Sequence, residues 1–191
     1  VMLRGREVRY RRLSNLLYRT FHGALIVSLL SAIIRVTVLC ALLRLAVFDV
    51  RWRRLPTRAT LLIAALFFID ALVIRLPIHD VLAHLLLALA VLVICAALFA
   101  AKMLGGGDAK LACAVFLWTG PSLALPALAI VSVLGLGVSL VSLATRHMAA
   151  EQRFPPLRAL AMFSGTRGVP YGVALALGGG SVIALPLLAM R

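Results

Sequence analysis

Apolar positions along this chain do not alternate with polar ones; they gather in long runs separated by short polar breaks. Runs occur at about 22–48, 58–76, 81–103, 109–119, 122–144 and 169–190. Most reach the roughly 20 residues a helix needs to cross a bilayer, and none has the strict alternation of a membrane barrel strand. The pattern predicts an all-α fold, a polytopic membrane helix bundle of about six transmembrane helices. Pro56 suits the start of the second helix, where its missing N–H leaves nothing unpaired. Gly120-Pro121 stops the short fourth run, and Gly135 and Gly137 suit close helix contacts in the fifth. The first run contains Arg35 and Arg44 and continues to Asp49 without a small-residue cleavage region, so it reads as a retained span. Two regions follow: a basic N-terminal extension at 1–21 and a membrane-embedded domain at 22–191.

Composition agrees with the pattern. Hydrophobic residues make up 63% and charged residues 14%, with a mean hydropathy of +1.09; a soluble domain carries about 25% charged residues. The net charge of +14 comes almost wholly from arginine. Such an excess raises nucleic acid as a partner, but here the cations cluster in the breaks between apolar runs. Topology and anionic phospholipids account for that placement, and nucleic-acid binding is not expected. The breaks at Asp49–Thr57, Lys102–Lys110 and Thr145–Gly168 hold most of the later cations and fall on one side of the membrane. Arg75 and Asp80 fall on the other. The cation-rich side is predicted to be cytoplasmic, although a single crossing by residues 22–48 would put the arginine-rich N-terminus outside. Cys40, Cys95 and Cys113 sit inside apolar runs without metal or disulfide spacing and read as small buried hydrophobes. No metal or cofactor is predicted.

Six acids leave few candidates for chemistry. Glu7 lies in the N-terminal extension, Asp80 in the outer turn and Glu151 in a polar loop. Asp70 is about 20 Å along its helix from Thr57, and Arg75 is its expected neighbour. Asp49 and Asp108 remain, each at the junction of a span with a cytoplasmic break. Gly105-Gly106-Gly107 precedes Asp108, and three glycines disfavour helix while suiting a tight loop. Two carboxyls held together tend to share one proton. Such a pair can take a proton from water and give one to a leaving amine, which is the chemistry of aspartic peptide hydrolysis. The competing reading is that both aspartates only flank helices among arginines. No HExxH or GxSxG pattern offers another catalytic set.

These residues resemble a known family. Asp49 followed by Leu55-Pro56, then Gly105-x-Gly107-Asp108-x-Lys110, is similar to the two signature motifs of type IV prepilin leader peptidases, the GxGD-type intramembrane aspartic endopeptidases. Val169-Pro170-Tyr171-Gly172-Val173-Ala174 is similar to the opening of that family's last helix. The resemblance implies that Asp49 and Asp108 are catalytic. It gives Gly105, Gly107, Lys110, Leu55 and Pro56 supporting roles, with Lys110 orienting Asp108 and the glycines letting a substrate backbone approach. It further implies a prepilin or pseudopilin substrate cut after a short basic leader, action beside pilus-assembly machinery, and residence in the bacterial inner membrane. Thr57 stands where the family carries Asn, and Phe48 where the presenilin-type branch usually carries Tyr. The zinc-bound cytoplasmic loop of the longer prepilin peptidases has no counterpart, so the chain looks like the short, peptidase-only form of tight-adherence pilus systems. The alternative function is a non-enzymatic membrane scaffold, or a proton- or cation-translocating protein using the membrane aspartates. That alternative calls for acids deep within several spans, and only Asp70 is so placed.

Overall fold

The computed structural model describes residues 2–52, 55–144 and 171–189. Five helices make up the described chain: α1 (Met2–Trp52), α2 (Thr57–Val73), α3 (Ile78–Ala100), α4 (Gly106–Ala144) and α5 (Tyr171–Ala189), with no strand among the described residues. Arg53 and Arg54 of the first basic break, the 145–168 segment with Glu151 and its four arginines, and Val169-Pro170 lie outside the described residues.

Four helical stretches are long and apolar enough to cross a membrane: His22–Trp52, Ile78–Ala100, Gly106–Val141 and Tyr171–Leu188. Helix α2, at 17 residues, is shorter. The expectation of about six spans is compatible with six helical pieces among the described residues, because α4 is broken in the middle. Gly120 sits at φ 63° and ψ 176°, outside helical geometry, and Pro121 follows it. Positive φ suits glycine. A proline has no N–H, so the carbonyl of Leu117, four residues before Pro121, loses its helical donor. Nδ1 of His84, on α3, lies 2.7 Å from that carbonyl oxygen and donates to it. The hydroxyl of Thr119 donates to the Phe116 carbonyl at 3.1 Å. Helical geometry therefore breaks at Gly120-Pro121, where the sequence expects a stop, and a second helical piece runs from there to Ala144.

Lateral packing follows the distribution of small residues. Helix α5 lies against α4 and α1, α3 against α4, and α2 against α1 and α4. Helix α5 is also the most enclosed of the four membrane-length stretches. At Gly179 an added Cβ would collide with the Val115 side chain, and at Gly178 it would lie 3.0 Å from the Val131 backbone, so these positions let α5 approach both halves of α4. Gly135 makes the expected close helix contact, with the Tyr171 ring, whereas Gly137 faces no neighbour among the described residues. The interior is built from Val38, Leu42, Leu45, Ile63, Leu111 and Val115. The outward faces are also apolar, with Ile26, Leu61, Leu86, Val93, Leu125 and Val133 all exposed, as a lipid-facing surface requires. Cys40 is exposed among them rather than buried.

A polar cluster lies inside this apolar bundle around Asp70. Asp70 is buried, and its carboxylate accepts from the Ser31 hydroxyl at 2.6 Å and from Arg35 Nη2 at 2.9 Å. The expected partner, Arg75, is engaged otherwise: at φ 53° it forms the left-handed turn after α2, and the next residue, Leu76, donates to the Ala71 carbonyl at 2.8 Å. This Schellman-type closure directs the chain into α3. Asp70 is thus tied to α1 across the bundle.

Candidate active site

The two candidate carboxyls enter from opposite ends of their helices. Asp49 lies one turn from the C-terminal end of α1, and Asp108 is the third residue of α4. They come close enough for the charge on one to act on the other. Helix α5 mediates the approach, since it packs on both α1 and α4.

Asp49 is 6% exposed. Its Oδ2 accepts a 2.9 Å hydrogen bond from the backbone N–H of Gly172, the second residue of α5. The first N–H groups of a helix have no partner within it, and the positive end of the helix dipole favours an anion there. A Cβ at Gly172 would stand 2.8 Å from the same oxygen, so a side chain at this position would collide with the carboxylate. The sequence marks residues 169–174 only as a family-like stretch. The visible signal is a glycine just after a proline at the mouth of an apolar run; its partner, 123 residues earlier, is a tertiary fact.

Asp108 is folded back toward the start of its own helix. Gly105 is the residue before α4, and its carbonyl accepts the first helical bond, from Ala109 N–H, at 3.1 Å. A Cβ on Gly105 would sit 2.8 Å from Asp108 Oδ2. The other oxygen, Oδ1, is buried with no hydrogen-bond partner among the described residues.

The supporting residues divide differently from expectation. Gly106 and Gly107 are helical, forming the first turn of α4 rather than a loop. The space beside Gly107 is filled by the chain itself, because a Cβ there would meet Leu55 Cβ at 3.0 Å. The two motifs therefore touch, with Leu55 of the first seated on Gly107 of the second. Pro56 caps α2 with φ −69° and ψ 119°, its carbonyl accepting from Ala59 N–H at 3.0 Å. Lys110 does not reach Asp108; its Nζ donates to the Thr57 hydroxyl at 3.3 Å, tying the first turns of α2 and α4 together. Thr57, where the family pattern expects Asn, supplies the acceptor. A cavity of about 250 Å³ opens between α2, α3 and α4, with Thr57 and Lys110 on its lining and Leu61, Ala64, Leu92 and Leu117 among its apolar walls. Trp52 is exposed, its ring tilted against Phe48 with centroids 4.6 Å apart and under the Arg51 guanidinium at 5.6 Å.

A model of the type IV leader peptidase family matches residues 36–140, more than half of the chain. The chain belongs to the type IV leader peptidase family. Neither the curated proteins nor the solved structures give a match. The type IV leader peptidase match begins on α1, passes through Asp49, Leu55-Pro56 and Asp108, and ends within the second half of α4. It leaves α5 outside, including the Gly172 N–H that holds Asp49. A peptidase family and a bundle with membrane-length apolar helices are thus established together.

Proposed function

We propose that the protein is an intramembrane aspartic endopeptidase, with Asp49 and Asp108 as its catalytic dyad. It removes the short basic leader of type IV or Flp-type prepilins or pseudopilins at the cytoplasmic face of the inner membrane. One observation carries this reading: two carboxyls from separate helices, 59 positions apart in the chain, lie within electrostatic reach of each other in a member of a leader peptidase family. In this reading one carboxylate takes a proton from water as the oxygen attacks the scissile carbonyl. The other carboxyl hydrogen-bonds the carbonyl oxygen and passes its proton to the leaving amine, so no covalent intermediate forms. The cationic breaks, Arg51 among them, set sidedness and contact anionic phospholipids.

The translocation alternative gains nothing from Asp70. That carboxylate is already bonded to Ser31 and Arg35, and an ion path needs an acid able to release its partner. Co-expression with candidate prepilins of the same genome tests the proposal. A pilin shortened at its N-terminus by the length of the leader is the expected product. Full-length pilins throughout, with the peptidase correctly inserted, would refute it.

A further inference from the structure

Asp49 and Asp108 are not equivalent, and the difference lies in what meets each oxygen. Asp49 Oδ2 receives a backbone N–H from the first turn of α5. An N–H donor and the positive end of a helix both bind the ionised carboxylate more strongly than the neutral acid. Asp108 Oδ1 is buried without a donor, and a buried, unpartnered anionic oxygen is far more costly than a buried hydroxyl. Among the described residues, the two cations nearest the pair in sequence have partners of their own. On α1, Arg51 lies over the Trp52 ring; on α4, Lys110 is bonded to Thr57 of α2; and on α3, the Cys95 thiol lies within electrostatic reach of Asp108.

We propose that Gly172 is a positioning residue for Asp49, and that the pair divides its roles accordingly: Asp49 is the ionised base that activates water and Asp108 is the acid that carries the shared proton. This rests on the peptidase reading above. Gly172 acts in two ways. Its N–H fixes the Asp49 carboxylate, and its lack of a side chain leaves the 2.8 Å gap that the carboxylate occupies. A proton on Asp108 has the unpartnered Oδ1 as its seat. Asp49 lies within the family match and Gly172 beyond it, and the contact between them forms where α5 packs against α1.

Two measurements test it. The first treats the intact wild-type protein at neutral pH with a diazoacetyl ester. That reagent esterifies a protonated carboxyl: the carboxyl proton goes to the diazo carbon, the carboxylate oxygen bonds to that carbon, and dinitrogen leaves. Peptide mass spectrometry then locates the ester. Label on Asp108 supports the assignment, and label on Asp49 overturns it. The second compares Gly172→Ala with Gly180→Ala, whose Cβ would make ordinary contact with Leu39 at 3.5 Å. Displacing the base by a fraction of an ångström to an ångström lowers kcat roughly 10- to 100-fold while leaving KM within about twofold, since substrate binding is untouched. Gly180→Ala retains wild-type kinetics. A Gly172→Ala enzyme with wild-type kcat overturns the positioning role. If wild type cleaves, either aspartate variant is inactive and Gly172→Ala is normal, only this inference falls. Cleavage by Asp49→Asn or Asp108→Asn would instead remove the peptidase reading itself.

Discussion

Replacing Asp70 by Asn separates a structural acid from a catalytic one. The Asp70 side chain is 3% exposed and Arg35 is 16% exposed. The pair is joined at 2.9 Å, with the Ser31 hydroxyl on the second carboxylate oxygen at 2.6 Å. Arg35 also donates to Ser31 at 3.2 Å and lies 5.8 Å from the Trp118 ring centre. Asn keeps the shape and removes the charge, so it strands the guanidinium inside the bundle. Removing one partner of a buried ion pair costs about 3–5 kcal/mol. Ser31→Ala removes only a hydroxyl, and side-chain hydrogen bonds between membrane helices average about 0.6 kcal/mol with a maximum near 1.7. A chain of this size loses about 2–4 °C of Tm per kcal/mol. Asp70→Asn should therefore melt roughly 10 °C below wild type, and Ser31→Ala only a few degrees below. The double variant Arg35→Met/Asp70→Leu should recover much of the Asp70→Asn loss, because it leaves no unpaired charge. The assay is thermal unfolding in detergent or nanodiscs, with leader cleavage measured below the transition. Asp70→Asn should cleave normally per folded molecule. Equal melting of the Asp70 and Ser31 variants would refute the stranded-charge argument, and loss of cleavage by folded Asp70→Asn would refute the structural role.

Three further outcomes are expected. His84→Ala leaves the Leu117 carbonyl at the α4 bend without its donor and should cost about 1–3 kcal/mol, read as a lower Tm; unchanged melting would show that the bend does not need the imidazole. Gly107→Val drives a branched side chain into Leu55, 3.0 Å from the first added carbon, and should displace the start of α4 and abolish cleavage; normal cleavage would contradict the packing of the two motifs on each other. Lys110→Ala breaks only an exposed 3.3 Å contact to Thr57, so stability should change by less than about 1 kcal/mol and cleavage should persist; an inactive variant would restore a direct role for Lys110 at Asp108.

The sequence discloses some levels of this molecule and hides others for physical reasons. The apolar runs are legible because bilayer thickness sets a length that composition must match. The candidate carboxyls are legible because a chain with six acids offers few pairs. The partner of Asp70 is hidden, since local spacing favours Arg75 while the chosen cation, Arg35, lies 35 positions away on another helix. A trace was present: Ser31 and Arg35 share one face of an apolar helix, where two polar residues need a common partner. The glycines before Asp108 look like loop, yet Gly106 and Gly107 are helical. Contacts from Phe99 and Leu55 explain why those positions lack side chains. Gly172 could not be assigned because its N–H finds Asp49 only once α5 is docked.

Cleavage of a purified prepilin by wild type, Asp49→Asn and Asp108→Asn, each reconstituted in liposomes at matched amounts, tests the central claim most directly. The dyad predicts leader removal by wild type and none by either variant, with both variants inserted and melting near wild type. Cleavage at the wild-type rate by either variant would contradict it.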